Sequence, residues 1–397
     1  MSSTVSHDDM SSDDAPGEAM PGQAASGRAA SGPRPATPVI DVHTHAMPMP
    51  FLRELERRGL ADLSRSAERV LHLDPAVCGL APRSPIPLAP EQHDMERRLA
   101  SLTAMGVDHQ VVAAPPFVFA SESDDDRLVL EVTRLANDAL AEFVAGSGGR
   151  LSALATVPVG HPGAAEELAR CLDGLGMVGA TMGTFGSGRE LDHPANEELW
   201  QALDARRCFT LLHPSRVSAR DRLADYHLVQ LLGYPTETAL ATSRLIFGGV
   251  LDRHDLVLCL AHGGGCVPAV GGRLDLGWRR KPVARVSRRT PSDYLRRLLY
   301  DTAVFDTRVL GRLVEDMTSG HVLLGTDTPF DLVDQDPMRT VRALGVDAER
   351  QADILGGNAA RLLGVPTGRA VPAARADPGG RAGQLPPFPT PAEGPTP

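Results

Sequence analysis

The stretch Val39–His45 reads VIDVHTH, and it determines how the rest of the chain is interpreted. Its first four residues, Val39–Val42, match the pattern of a buried β-strand. Two histidines follow with one residue between them, and side chains at positions i and i+2 of a strand lie on the same face. We therefore expect His43 and His45 to converge on one point. Such a pair is half of a divalent-metal site, although two polar residues on a half-exposed strand give the same pattern.

Seven further apolar segments follow the first strand, and helical patterns separate most of them. Short apolar strands that alternate with amphipathic helices indicate a parallel sheet covered by helices. Eight such units in about 330 residues predict an α/β protein with a closed (β/α)8 barrel, and a doubly wound open sheet is the alternative. The predicted strands are Val39–Val42, Gln110–Ala114, Ser152–Val157, Gly179–Met182, Phe209–Leu212, Val257–Ala261, Leu299–Ala303 and Val322–Gly325. The predicted helices are His93–Met105, Arg127–Val144, Gly163–Gly174, Asn196–Ala205, Glu237–Leu251, Arg308–Met317 and Ala348–Leu363.

The barrel is predicted to occupy residues 38–365, between two tails of different composition. Residues 1–37 and 366–397 are rich in small and polar residues or proline and have few large apolar side chains, so we expect both to be disordered. The segment Met47–Gln92 interrupts the alternation, because it is rich in proline and has only a short helical pattern near Leu52–Leu63. It is either a lid over the mouth of the barrel or a surface excursion with no catalytic part.

Further chemically active residues follow other predicted strands. His213 comes directly after the strand that ends at Leu212, His262 after the one that ends at Ala261, and Asp327 just beyond Val322–Gly325. The carboxyl ends of barrel strands form the active face, so these residues are expected to share one rim with the histidine pair. The rim then holds five potential ligands or proton carriers. Three histidines and a carboxylate suit a zinc-like ion and leave one coordination position open, which is typical of catalytic sites.

Composition excludes several other classes of protein. The net charge of −10 disfavours a nucleic-acid partner, and the apolar runs are too short to span a membrane. The N-terminal residues do not have the basic and then apolar order of a signal peptide, and the five cysteines are scattered without C-x-x-C spacing. These features predict a cytoplasmic protein with small core cysteines.

Four motifs around these residues resemble those of the amidohydrolase superfamily (amidohydrolase-related, family 2). The motifs are Asp41–Pro48 (DVHTHAMP), Leu212–Pro214 (LHP), Ala261–Gly265 (AHGGG) and Leu324–Phe330 (LGTDTPF). Within the superfamily the chain is most similar to the 2-amino-3-carboxymuconate-6-semialdehyde decarboxylase family, and the resemblance covers nearly all of residues 38–365.

The resemblance implies a (β/α)8 barrel with one zinc ion, or another divalent transition metal, held by His43, His45, His213 and Asp327. It places His262 beside the metal as the general acid and base rather than as a ligand. Asp327 is expected to share the proton chemistry with His262. The implied reaction is a non-oxidative decarboxylation of an unsaturated or aromatic carboxylic acid.

The resemblance also implies how the substrate is held. Arg98 and Arg273 match the positions at which the family binds the substrate carboxylate, and the second of these reaches across a dimer interface in the family. A homodimer that completes each site in trans is therefore expected. Three positions depart from the family pattern and indicate a different substrate pocket: Lys281 replaces an arginine, Ser215 a tryptophan and Thr328 a tyrosine.

Two alternative functions use the same residues. A metal-dependent hydrolase or hydratase would direct the same metal site at a carbonyl group or a double bond, because one barrel architecture supports many reactions. A non-enzymatic zinc-binding or scaffold protein would need the ligands but not His262.

Overall fold

The computed structural model describes residues 37–365, and the structural account below concerns that range. The tails predicted over residues 1–37 and 366–397 lie outside the described residues, apart from Thr37. Within the described range no helix is long and apolar enough to cross a lipid bilayer.

Eight parallel strands form one sheet, and each predicted strand overlaps one of them. Each strand pairs with its neighbour in chain order, as expected when helices connect successive parallel strands. The strands are β1 (Ile40–His45), β2 (His109–Ala113), β3 (Leu151–Val157), β4 (Gly179–Gly183), β5 (Phe209–His213), β6 (Val257–Leu260), β7 (Leu299–Asp301) and β8 (Val322–Leu323).

Main-chain hydrogen bonds join the last strand and its extension to the first strand. The amide of Val42 donates to the carbonyl of Leu324 at 2.9 Å, and the amide of His45 donates to Thr328 at 2.8 Å. Between them, the amide of Asp327 donates to the carbonyl of His43 at 2.9 Å. The sheet therefore closes into a (β/α)8 barrel, as predicted, and the closure brings Asp327 beside the histidine pair.

The first strand contains a β-bulge at the position where its histidines begin. Its pairing with β2 shifts register between Asp41 and Thr44. Val42 packs in the apolar cluster that fills the barrel, while Thr44 bonds on the outer side to the carbonyl of Val111. A bulge re-aims a side chain, and here it lets His43 join the interior face.

Helices surround the barrel, and most of them match a predicted segment. They are α1 (Met49–Arg57), α2 (Pro75–Cys78), α3 (Met95–Ala104), α4 (Asp126–Ala145), α5 (Ala164–Ala169), α6 (Glu197–Ala205), α7 (Tyr234–Phe247), α8 (Val250–Arg253), α9 (Val267–Arg280), α10 (Pro291–Leu295), α11 (Thr307–Met317), α12 (Pro337–Arg342), α13 (Ala348–Ala352) and α14 (Asn358–Leu363). Helix α9 was not predicted, because its proline and three glycines weaken the helical signal. The helix predicted over Glu237–Leu251 is divided by Gly249, which adopts a left-handed conformation with φ +70°.

The segment Met47–Gln92 folds into a small layer of its own. Besides α1 it contains a three-stranded antiparallel sheet made of Ala61–Asp62, Val70–Leu73 and Ile86–Pro87. Its apolar side chains form a separate cluster that includes Val118 and Val132 from the chain after β2. The sequence pattern showed only the helix, because strands of two to four residues carry little periodicity. A lid role for this layer stays a prediction.

Candidate metal centre and active site

The mouth of the barrel brings together the four residues that were predicted as metal ligands. One side-chain ligand atom from each of His43, His45, His213 and Asp327 lies within 4.8 Å of all the others. All four side chains are buried. Strands β1 and β5 supply the histidines, and the chain after β8 supplies the carboxylate. The rule that strand ends form the active face therefore located these residues correctly.

The Nδ1 atom of each histidine in this group faces a fixed oxygen acceptor. In His43 it donates to Oδ2 of Asp301 at 2.6 Å. In His45 it donates to the carbonyl of Ala114 at 3.4 Å, and in His213 to the carbonyl of Pro214 at 2.9 Å. Carboxylate and carbonyl oxygens accept, so in each neutral ring the proton is on Nδ1 and the lone pair of Nε2 is directed into the site. Metal-ligating histidines are held in this way.

When the three rings are neutral, the atoms that point into the site are all acceptors. The Nε2 atoms of His43 and His45 lie 3.1 Å apart, and Oδ1 of Asp327 lies 3.3 and 3.2 Å from them. Within the described part of the chain, Nε2 of His213 and Oδ1 of Asp327 have no hydrogen-bond partner although both are buried. Buried acceptors that face one another are costly unless a cation lies between them. The donor set therefore fits a divalent metal ion.

The electrostatics of the site agree with this interpretation. Burial alone would lower the pKa of His43, but the negative charges of Asp327 and Asp301 raise it to about 9. Burial alone would raise the pKa of Asp327, but the positive charge of His43 and the hydrogen bond from His262 hold it well below its usual range. The site thus attracts positive charge, and a metal ion would replace the proton on His43.

His262 lies next to the four-residue group but outside it. Its Nε2 atom is 3.3 Å from Oδ2 of Asp327, the carboxylate oxygen that does not face His43 and His45. The backbone of His262 is left-handed, with φ 56°, and Gly263 follows with φ 59°. Left-handed conformations cost energy in non-glycine residues and cluster at functional sites. The role of proton carrier stays a prediction, and this position is compatible with it.

Asp301 is a buried part of this site that was not predicted from the sequence. It ends β7, and its carboxylate bonds to the ring of His43 and to the backbone of His262 and Gly263. The strand Leu299–Ala303 was predicted, and the acidic residue in the middle of that strand was the available signal. The strand-end rule applied to these predicted bounds points to Val304, whereas the strand in the structure ends at Asp301 itself.

Aromatic side chains line two sides of the site. The ring centroid of Phe330 lies 5.1 Å from that of His45, and the ring centroid of Phe117 lies 6.0 Å from that of Phe330. On the other side, the ring of Tyr234 lies 6.2 Å from that of His213. Planar side chains in these positions favour a flat, apolar ligand body.

Arg98 lies beneath the histidine pair rather than on the open side of the site. It is buried, and its guanidinium donates to the carbonyls of His45 and Glu91 at 2.8 and 2.9 Å and to Oγ1 of Thr44 at 3.0 Å. These bonds connect helix α3 and the end of the Met47–Gln92 layer to β1. A role for Arg98 in binding a substrate carboxylate stays a prediction, and it would require these bonds to be exchanged for bonds to the substrate.

The other residues that were singled out lie in different places. Arg273 is exposed on α9, and Lys281 is exposed just after it, so neither is brought into the site within a single chain. Thr328 is buried and bonds to Oγ1 of Thr326 at 2.6 Å, so it faces the wall of the barrel. Ser215 bonds through its hydroxyl to the carbonyl of Phe185 at 3.3 Å.

A (β/α)8 barrel with three histidines and an aspartate converging at its strand ends defines a metal-dependent enzyme of the barrel-hydrolase class. Sequence comparison specifies it further, because the model of the family described as Amidohydrolase matches residues 40–365. The chain belongs to the amidohydrolase family, which confirms the resemblance noted in the motifs.

Curated relatives agree with this assignment, and solved structures share the fold. The chain is 32% identical over 277 residues to 2-amino-3-carboxymuconate-6-semialdehyde decarboxylase of Dictyostelium discoideum, covering 68% of this chain and 77% of the relative. It is 32% identical over 257 residues to gamma-resorcylate decarboxylase of Rhizobium sp. (strain MTP-10005), covering 60% and 78%. Among solved structures, a dihydroxybenzoic acid decarboxylase from Polaromonas sp. JS666 with bound manganese has the same fold, with a TM-score of 0.67, 22% identity and coverage of 83% and 97%.

Proposed function

We propose that this chain is a metal-dependent, non-oxidative decarboxylase of an aromatic or unsaturated carboxylic acid. The observation that carries the proposal is the convergence of His43, His45, His213 and Asp327 within 4.8 Å, with His262 beside them, in a chain whose curated relatives are named as decarboxylases. The domain that performs the reaction is proposed to span residues 38–365.

The metal is proposed to be zinc, held by those four residues. Three imidazole nitrogens and one carboxylate oxygen are a donor set that zinc accepts readily, and manganese is the divalent alternative. When bound, the metal supplies a Lewis acid that polarises a substrate oxygen. The fixed Nδ1 protons of the three histidines orient the rings for this task.

The proton chemistry is assigned to His262 and Asp327. Decarboxylation breaks the bond between the carboxylate carbon and the substrate, carbon dioxide leaves, and the electron pair stays on the substrate carbon. That carbon then takes a proton, and Nε2 of His262 is proposed to deliver it. Oδ2 of Asp327, 3.3 Å away, orients the imidazole and balances its charge when it is protonated.

The planar part of the substrate is proposed to lie between two aromatic walls. Phe330 and Phe117 form one wall next to His45, and Tyr234 lies next to His213 on the other side. A flat ring or a conjugated acid fits this arrangement better than a saturated chain, since stacked and edge-on contacts favour planar groups.

We further propose a homodimer in which Arg273 enters the site of the other subunit. Its exposure on α9 supports this arrangement, because a single chain leaves the guanidinium free to meet a partner surface. Helices α7 and α9 contact each other and carry the exposed apolar side chains Leu240 and Leu276, which are 39% and 50% exposed. Apolar side chains beside an arginine are typical of an interface.

A cytoplasmic location is part of the same proposal. The five cysteines are all free thiols, and Cys171, Cys208 and Cys259 are buried in the core. Unpaired core thiols are usual in a reducing compartment.

The test is the release of carbon dioxide from a panel of carboxylated aromatic and muconate-like acids by protein loaded with zinc or manganese. We expect release from at least one aromatic or conjugated acid, and loss of that activity after chelation without loss of the folded barrel. Turnover of an ester, lactone or amide with no release of carbon dioxide from any acid would favour the hydrolase alternative and overturn the proposal.

A further inference from the structure

We propose that Asp301 is a positioning residue that fixes both the metal ligand His43 and the proton carrier His262. The inference rests on the proposed function, because it assumes that His43 binds a metal and that His262 moves a proton. One buried carboxylate would then orient a metal ligand and also hold the backbone of the proton carrier.

The carboxylate of Asp301 is fully buried and accepts four hydrogen bonds. Oδ2 accepts from Nδ1 of His43 at 2.6 Å and from the amide of His262 at 3.1 Å. Oδ1 accepts from the amides of Gly263 and Ala303 at 2.8 and 3.1 Å. All four partners are donors, so the site requires an acceptor-only group with two oxygens, and an ionised carboxylate is the side chain that provides it.

The first task concerns the ring of His43. Because the bond to Asp301 holds the proton on Nδ1, the lone pair of Nε2 stays directed at the atoms of His45 and Asp327 that line the metal site. A carboxylate behind a metal-binding histidine also increases the basicity of the ligand nitrogen. The same bond fixes the orientation of the ring.

The second task concerns the backbone that carries His262. Both His262 and Gly263 are left-handed, with φ values of 56° and 59°, and the first of these is unfavourable for a residue with a side chain. Such a conformation persists only when neighbouring groups enforce it. The two amide bonds to Asp301 provide that restraint and thereby set the distance between His262 and Asp327.

The close approach of these groups depends on a residue without a side chain. A Cβ atom at Gly325 would lie 2.7 Å from Cβ of Asp301 and 2.9 Å from Cβ of His43. Contacts this short do not occur, so glycine at this position lets the strand ends of β1 and β7 lie close enough for the bond between His43 and Asp301.

Replacing Asp301 by asparagine changes its hydrogen bonds but hardly changes its size, so the substitution tests the two tasks and not the packing. Asparagine has nearly the same shape, but one of its two polar atoms is an NH2 group that only donates. Whichever way the amide turns, two of the four donors then face another donor. If the NH2 faces His43, the ring must take the tautomer with the proton on Nε2, which cannot bind a metal. If it faces Gly263, the left-handed backbone loses its restraint.

The experiment compares Asp301→Asn with Glu167→Gln, a control that removes another fully buried and hydrogen-bonded carboxylate at a distance from the site. Zinc affinity is measured by competition with a chromophoric chelator, and amide hydrogen exchange is measured for peptides that contain His262. We expect Asp301→Asn to weaken zinc binding by about 10- to 100-fold, to speed exchange at His262 and Gly263, or to do both. The Glu167→Gln variant should change neither quantity.

Unchanged zinc affinity together with unchanged exchange in Asp301→Asn would overturn the inference.

A second measurement needs no substitution at Asp301 and covers the case in which that variant does not fold. Nitrogen-15 NMR of histidine-labelled, zinc-loaded protein, with the signal of His43 assigned through His43→Gln, should show the ring proton of His43 on Nδ1. A proton on Nε2 would refute the assignment of Asp301. If the unsubstituted protein binds no divalent metal at all, the proposed function itself fails, and the two failures are therefore distinguishable.

Discussion

The Nε2 atom of His262 lies 3.3 Å from Oδ2 of Asp327, while Oδ1 of the same carboxylate faces His43 and His45. One aspartate therefore lies between the metal ligands and the residue assigned to proton transfer. Substitution of a metal ligand and substitution of His262 are therefore expected to have different effects.

Substitution of His262 is expected to separate metal binding from turnover. His262→Asn should keep the bound metal, because the four ligands are unchanged, but kcat should fall by about 100- to 10,000-fold, the usual contribution of general acid–base catalysis. His213→Ala should lose both metal and activity. Metal content by mass spectrometry and carbon dioxide release check the pair of variants. Equal metal loss in both would show that His262 is a ligand.

The titration of His109 predicts how stability depends on pH. Burial lowers the pKa of His109 from 6.5 to about 4, while its ring bonds to the carbonyl of Gly149 and the hydroxyl of Ser152. In the unfolded chain the pKa is the ordinary value, so between pH 6.5 and 4 the unfolded state binds more protons, and stability falls as the pH falls. The loss should reach about 2 kcal/mol between pH 7.5 and pH 5.

The control for this prediction is His109→Gln, measured alongside the unsubstituted protein with the metal chelated in both. Urea unfolding at the two pH values gives the free energies. We expect the unsubstituted protein to lose more stability on acidification than the variant does. Equal losses would show that His109 does not contribute.

The eight strands and the rim of the barrel could be predicted from sequence because both depend on local patterns. Apolar runs locate parallel strands that are buried on both faces, and the residue after each run lies at the active face. His213 and His262 each follow an apolar run in this way. The strand count predicted the closure that brings Asp327 beside His43 but left an open sheet as the alternative, and the hydrogen bonds between the last and first strands decide for the barrel.

The orientation of Arg98 could not be predicted, because it depends on packing between distant segments. A residue on α3 can direct its side chain at the substrate or at the strand below, and its spacing from other motifs is the same in both cases. Three hydrogen bonds to Thr44, His45 and Glu91 decide the question, and two of those partners are main-chain atoms that any sequence would provide. The bonds from Asp301 to both His43 and His262 could not be predicted either, because they also depend on packing between distant segments.

Arg98 is expected to act on stability and metal binding before it acts on substrate binding. Arg98→Met should lower the free energy of unfolding by about 2 to 4 kcal/mol, because it leaves buried acceptors at His45 and Thr44 without their donor. Zinc affinity should fall as well, since the backbone of a ligand loses its support. Urea unfolding and chelator competition measure the two effects.

The neighbouring Arg97→Met is the matched control for Arg98→Met, because the side chain of Arg97 is 63% exposed and pairs with Asp94, the residue that caps the start of the same helix. It should change stability by less than about 0.5 kcal/mol. The competing role makes the opposite prediction: if Arg98 binds the substrate carboxylate, Arg98→Met raises KM while stability and zinc affinity stay at the values of the Arg97 variant.

Mixing two inactive variants tests the homodimer with Arg273 shared in trans. In a mixed dimer of Arg273→Ala and His262→Asn chains, one site combines an intact His262 with an intact Arg273 from the other subunit. Random exchange should therefore restore about a quarter of the activity of the unsubstituted protein. Light scattering after size-exclusion chromatography gives the oligomeric state of each sample.

The control is a chain that carries both substitutions, mixed with itself, which offers no intact site. If Arg273 acts within its own chain, or not at all, the mixture of single variants shows only the sum of the two parent activities. A monomeric mass for the unsubstituted protein, with full activity, would contradict the trans arrangement directly. Restored activity in the mixture, together with a dimeric mass, would place the exposed guanidinium of α9 in the active site of the other subunit, because no single chain in that sample has both groups.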